Sequence, residues 1–337
     1  MPPASPDRRR GPVAQFHCNL WATLAICLSL LLQQACSQVV GCDVLDCNGG
    51  ADNDCTLGNT TSSFIGTTSF NSSLSPDNAP LTWTVGASSS NSNSNSSDVT
   101  FTKNFYLGYP PSMNLATPAA FAGCALFFEG IARSLPLNGV TEYGTVTCGQ
   151  TLQDVCVNDL LSQARQQVQA LGSKSNADNR SVCTALQTTM EANPPPSCSI
   201  ATVTWGTIVP KEITGPQSSV EAPVSQTSCH PTSSISSGTT YNIALVETQT
   251  VTSEEVSSDI APFFYSITPV LTVFYEPVVS SSSNSQKAVA LPEAHLSCVK
   301  VVENSNLAQQ VGNGAGTVAS PRSMMAMALA LSILSLI

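Results

Sequence analysis

The chain has 337 residues, 42% of them hydrophobic and only 10% charged, with a formal net charge of −10. That length suits one large domain or two small ones. So few basic side chains in an acidic chain argue against nucleic acid or anionic lipid headgroups as partners held by charge.

At the N-terminal side, Arg8, Arg9 and Arg10 precede an uncharged run from Leu20 to Leu32. Such a run suits the core of a secretory signal peptide and falls short of the roughly twenty residues a helix needs to cross a bilayer. Ala35, Cys36 and Ser37 offer small residues for a peptidase, so residues 1–37 are expected to be removed. An uncleaved signal anchor is the alternative.

Next comes a compact cysteine-rich segment, 38–59, holding Cys42, Cys47 and Cys55. Its Asp43, Asp46, Asp52 and Asp54, with Asn48 and Asn53, are hard oxygen ligands of the kind Ca²⁺ takes. The spacing departs from an EF-hand loop, however, and Leu57 stands where the bidentate Glu would be. A disulfide-tied turn with solvated acids is the alternative. Thr60 to Pro80 reads as turn-rich and polar. Leu81–Val85 (LTWTV) and Val99–Leu107 (VTFTKNFYL) read as strands, separated by the low-complexity stretch ASSSNSNSNSSD, a loop that has too little apolar surface to bury. Cys124–Phe128 (CALFF) reads as a short buried strand. Asn59, Asn71, Asn95 and Asn179 each open an N-glycosylation sequon.

The middle of the chain is helical. Leu152, Cys156, Leu160, Ala164, Val168 and Leu171 recur every three or four residues and make one apolar face, with Thr151 to cap the start and Gly172 to end it. A second helix is expected from about Ser181 to Glu191, with Cys183, Leu186 and Met190 on one face, and the prolines 194–196 forbid its continuation. If the two pack antiparallel, Cys156 and Cys183 lie at opposite ends, too far apart for a disulfide, and Cys198 returns toward Cys148 or Cys156. β-branched and aromatic residues then predict strands over Ile200–Val209, Thr240–Thr252, Phe263–Tyr275 and His295–Val302. Ser-rich connectors at 218–239 and 280–285 are expected to be loops and O-mannosylation sites.

Toward the C-terminal side, Asn313, Gly314 and Ala315 are followed by a short spacer and the apolar run MMAMALALSILSLI. Small residues, spacer and apolar tail form a glycosylphosphatidylinositol (GPI) attachment signal. Asn313 is the expected attachment residue and Gly314 its rival; a tail-anchored protein is the alternative. The expected organisation is therefore signal peptide 1–37, a single ectodomain 38–303 with a helical insertion at about 148–198, a short stalk 304–313, and a removed segment 314–337. After both removals, eight basic side chains face twenty-one acidic ones, a net charge of about −13.

Of thirteen cysteines, Cys18, Cys27 and Cys36 leave with the signal. The ten that remain are Cys42, Cys47, Cys55, Cys124, Cys148, Cys156, Cys183, Cys198, Cys229 and Cys298, an even set that suits five disulfides in an oxidising compartment. Without a C-x-x-C pair, and with only His230 and His295 left after processing, zinc is not expected.

Catalytic motifs are sparse. The sequence has no G-x-S-x-G, H-E-x-x-H, P-loop or G-x-G-x-x-G. His230 and His295 are the histidines a serine nucleophile would need. Glu129, Glu142, Glu247, Glu276 and Glu293 lie near expected strand ends and are the carboxylates a glycosidase pair would draw on. Sugar stacking would fall to Trp83 and Trp205.

FAGCALFF, GTVTCGQTLQDVC, the Ser/Asn tracts and the apolar tail resemble the GPI-anchored, cysteine-containing cell-surface glycoproteins of filamentous fungi. The resemblance carries no catalytic residue. The wide cysteine spacing departs from the compact haem-binding CFEM module, and the short stalk departs from adhesins. The expected fold is α+β: a mainly β, sandwich-like secreted domain with an inserted, disulfide-stapled helical pair. The expected function is a structural or binding role on the outer face of the plasma membrane or in the cell wall. Its partners would be the outer leaflet through the GPI lipid and wall polysaccharide, with no cofactor, metal or nucleic acid. The alternatives are a GPI-anchored carbohydrate-active enzyme using paired carboxylates, and a ligand-binding receptor.

Overall fold

The computed structural model describes residues 39, 41, 55–62, 64–91, 99–117, 121–129, 146–172, 179–198, 207–215, 218–223, 241–253, 261–276 and 292–302. The chain divides into two compact units, Met1–Cys36 and Ser37–Ile337, and every described residue belongs to the second. That unit is mainly β with few helices.

Ten strands are described: β1 Cys55–Leu57, β2 Thr60–Ser62, β3 Phe64–Phe70, β4 Leu81–Asn91, β5 Val99–Tyr109, β6 Ala122–Phe128, β7 Ile208–Glu212, β8 Asn242–Thr252, β9 Thr268–Tyr275 and β10 Glu293–Val299. They form a β1–β2 hairpin and two open four-stranded sheets, ordered β3-β4-β5-β8 and β10-β9-β6-β7. Every pairing is antiparallel.

Period-two alternation decides which side chains meet. Leu81, Trp83, Val85 and Ala87 of β4 and Phe105 and Leu107 of β5 share one apolar cluster with Ala125 and Phe127 of β6 and Val270 and Phe274 of β9. Trp83 sits at its centre, edge-on to Phe127 at 5.4 Å, with Nε1 donating to Thr272 Oγ1 at 2.9 Å. The indole thus buries its area without leaving its N–H unpaired. A second cluster takes the alternate residues of β6 and β9, Cys124, Leu126, Leu271 and Val273, together with helical side chains.

Those helices are α1 Cys148–Leu152, α2 Asp154–Gly172 and α3 Asn179–Ala192; a further turn, α4, spans Ala261–Phe264. The apolar stripe Leu152, Cys156, Leu160, Ala164 and Val168 is buried, as are Cys183, Leu186 and Met190. Three disulfides tie this region. Cys124–Cys183 joins β6 to α3, Cys156–Cys198 joins α2 to the turn after α3, and Cys148–Cys298 joins α1 to β10. Cys198 therefore pairs with one of its two expected partners. The pairing of Cys183 with Cys124 agrees with the argument against Cys156.

Several expectations need correction. Thr147, not Thr151, caps the first helix, in a capping box with Gln150. The Thr151 hydroxyl instead donates to its own helix, to the Cys148 carbonyl at 3.1 Å. Gln153, at φ 69, separates α1 from α2. The stretch 60–80 is not all turn: FIGTTSF is β3, paired with β4 over its whole length. Its Gly66 marks a close approach, since a Cβ there would lie 1.8 Å from the Lys300 carbonyl oxygen. β4 continues through serines to Asn91, where the composition suggested a loop, because β5 offers a ladder partner up to Val99. Phe263 does not begin a strand. It lies in α4, and the Ser266 hydroxyl closes the turn onto the Phe263 carbonyl at 2.9 Å. In the expected strand 200–209, positions 200–206 lie outside the described residues; the strand observed is Ile208–Glu212.

Candidate functional site

Two of the candidate residues, Glu293 and His295, meet at the edge strand β10. They alternate onto one side of the strand, facing β3 and the segment after it. His295 Nε2 lies 2.5 Å from Glu293 Oε1, and the His295 ring stacks on Phe70 at 4.9 Å. Ser73 donates twice to the same carboxylate, from its hydroxyl at 2.7 Å to Oε2 and from its backbone N–H at 3.2 Å to Oε1. Burial pushes the Glu293 carboxyl up, but the bonds from His295 and Ser73 outweigh it and hold its pKa below the ordinary glutamate value.

The order of these contacts limits their chemistry. A serine nucleophile needs its hydroxyl against an imidazole, with the carboxylate behind the ring. Here the carboxylate stands between the other two, so Ser73 donates to Glu293 and not to His295. What this arrangement does is fasten the start of β10 to the segment after β3.

Glu247 is also held. Lys211 Nζ of β7 lies 2.5 Å from its Oε2, and the Thr248 N–H donates to its Oε1 at 2.9 Å. A register shift between Phe105 and Tyr106 in the β5–β8 ladder lies beside it. The pair links an edge strand of one sheet to an edge strand of the other. Glu276 is exposed just past β9, and Glu129 is half-buried just past β6. Trp83 is fully buried, so it offers no face for a sugar ring.

Glu142, His230, Trp205, the acids Asp43, Asp46, Asp52 and Asp54, and Asn48 and Asn53 lie outside the described residues, as do Asn95 and Asn313. Of the other sequons, Asn59 lies exposed in the β1–β2 turn, Asn71 lies exposed just past β3, and Asn179 opens α3. Cys55 is disulfide-bonded, and Cys42, Cys47 and Cys229 lie outside the described residues. Among the described residues, no three His, Cys, Asp or Glu side chains cluster as a metal site, and no helix is long and apolar enough to cross a membrane.

Two buried lysines escaped the sequence reading. Lys103 and Lys300 are among the largest fully buried side chains. Lys103 Nζ donates to Ser266, to Oγ at 2.6 Å and to the carbonyl at 3.2 Å, and lies 5.2 Å over the Phe263 ring. The signal for Lys103 was parity, since it alternates with Phe101 and Phe105 on the inward side of β5. Ser73 carried no signal, because 220 positions separate it from Glu293. No protein-family model, curated protein or solved structure matches the chain.

Proposed function

We propose that this chain is a GPI-anchored extracellular glycoprotein of the cell surface or wall, with a structural or binding role. Its folded part is read as a sandwich-like, mainly β ectodomain carrying a disulfide-stapled helical pair. The observation that carries the reading is the set of three disulfides, each joining different elements of the fold. Cross-links of that kind persist in oxidising compartments and are rare in the cytosol. The exposure of Asn59 and Asn71 supports glycosylation, and the apolar runs 20–32 and 324–337 support secretion and lipid attachment. The engagement of Glu293 with His295 and Ser73, and of Glu247 with Lys211, favours a structural use of these carboxylates over a glycosidase pair.

The test is treatment of membranes from expressing cells with phosphatidylinositol-specific phospholipase C. Release of a glycosylated protein is expected. Retention on the membrane, together with a mature peptide that still contains Ile337, would overturn the anchor. A glycan array and product analysis on β-glucan and chitin oligomers then separate binding from hydrolysis.

A further inference from the structure

The end of the described fold is pinned at one place. Val302 N–H donates to the Ile65 carbonyl at 3.0 Å, Ile65 and Val302 form an antiparallel bridge, and Val301 and Val302 are fully buried. Cys298, four residues earlier, is bonded to Cys148. The Lys300 carbonyl fills the space above Gly66, and Val39 packs beside it. Val39 would be the second residue after cleavage at Ser37. Val39 and Val302 thus converge at the start of β3.

Register then fixes which loops share that end. β3 begins there, at Phe64, and pairs with Ala87 late in β4. The late part of β4 pairs with the beginning of β5, Asn91 with Val99. β5 runs from there to Tyr109, and the turn that follows, closed by Met113 N–H onto the Pro110 carbonyl, lies at the opposite end. So do Phe70 and Ser73, together with Glu293 at the start of β10.

We infer that the ectodomain stands on the membrane in one sense: the end bearing Val39, Gly66 and Val302 faces the lipid headgroups, and the end bearing Ser73, Ser112 and Glu293 faces outward. This rests on the anchored reading. About eleven residues run from Val302 to Asn313. At full stretch they reach about 40 Å. β5 from Thr100 to Tyr109 is roughly 30 Å long. The chain leaves the fold at a point held by the Val302–Ile65 bridge, and reaching a bilayer at the far end would spend roughly three quarters of that length running back along the body. That cost favours the near end beside the bilayer.

Energy transfer tests this on the full chain displayed on cells. A fluorescent non-natural residue replaces Ser90 or Ser112, both exposed and at opposite ends of the β4–β5 hairpin. The acceptor is a lipophilic dye in the outer leaflet. Donor quenching at position 90 is expected to exceed that at 112 by about twofold or more, given separations that differ by tens of ångströms. Equal quenching, or stronger quenching at 112, overturns the orientation. A parallel chain lacking 324–337 is expected in the medium. If it stays on the cell, the anchored reading fails and the orientation with it; if it is secreted while the quenching order is reversed, only the orientation fails.

Discussion

Cys148 and Cys298 are bonded, with Cα atoms 5.1 Å apart, although 150 positions separate them in sequence. The bond fastens the first helix to the last strand of the fold. Every element from α2 to β9 lies within the closed loop.

Removing this bond should cost the most of the three, because its loop is the longest; the others close 59 and 42 positions. The chain-entropy estimate is about 4–5 kcal/mol. Urea unfolding of the Cys148→Ala, Cys298→Ala double variant should show a larger loss than Cys156→Ala, Cys198→Ala. An equal or smaller loss would mean that native-state effects, rather than loop length, set the ranking.

Gly66→Ala should be severely destabilising, by about 2–4 kcal/mol, because the added methyl meets the Lys300 backbone carbonyl, which cannot turn away. Gly86→Ala is the control. Its nearest obstacle is the Ser62 hydroxyl at 2.4 Å, the end of a side chain that can change rotamer. Thermal melts of the two variants should rank Gly66→Ala lower.

Trp83→Phe should cost about 1–3 kcal/mol by leaving Thr272 without its indole donor and opening a small void; Trp83→Ala should cost about 3–5 kcal/mol. Denaturant midpoints measure both. Quenching of Trp fluorescence by acrylamide should be weak at this buried position in the folded protein.

The Glu293 lock should depend on pH in a defined direction. Its carboxyl pKa is lowered in the folded state, so the carboxylate form is favoured there. The stabilisation is fully present above the unfolded value of about 4.3 and is lost as pH falls through the lower folded value. The stability difference between the native protein and Glu293→Gln should therefore shrink on acidification from pH 6 toward pH 3. A difference that grows on acidification would reverse the sign.

Occupancy of the sequons is directly measurable. Asn59→Gln and Asn71→Gln should each lower the mass of the secreted ectodomain by one glycan. Both asparagines are exposed, one in a turn and the other just past a strand. Peptide-N-glycosidase treatment should erase the differences.

Much of the β framework is legible from residue type. LTWTV and VTFTKNFYL alternate, and the structure makes them β4 and β5; CALFF is continuous, and β6 is buried on both faces. The helical stripe from Leu152 to Val168 is readable for the same reason of period. What fails is local in origin. FIGTTSF looks like a turn because Gly66 answers to Lys300, a contact more than two hundred positions away. Thr151 reads as a cap because the apolar stripe starts at Leu152, but the break at Gln153 makes a separate short helix that Thr147 caps. Glu293 and His295 stand out singly as ionisable residues, but only folding brings Ser73 to them and sets the order of the three.

Lys103 and Lys300 are sealed inside the protein. Reagents that mark surface proteins by acylating primary amines will not reach either one while the fold is closed. Their modification therefore becomes a clock for opening: the rate at which a peptide containing position 103 gains an acyl group reports how often the Ser266 contact is broken.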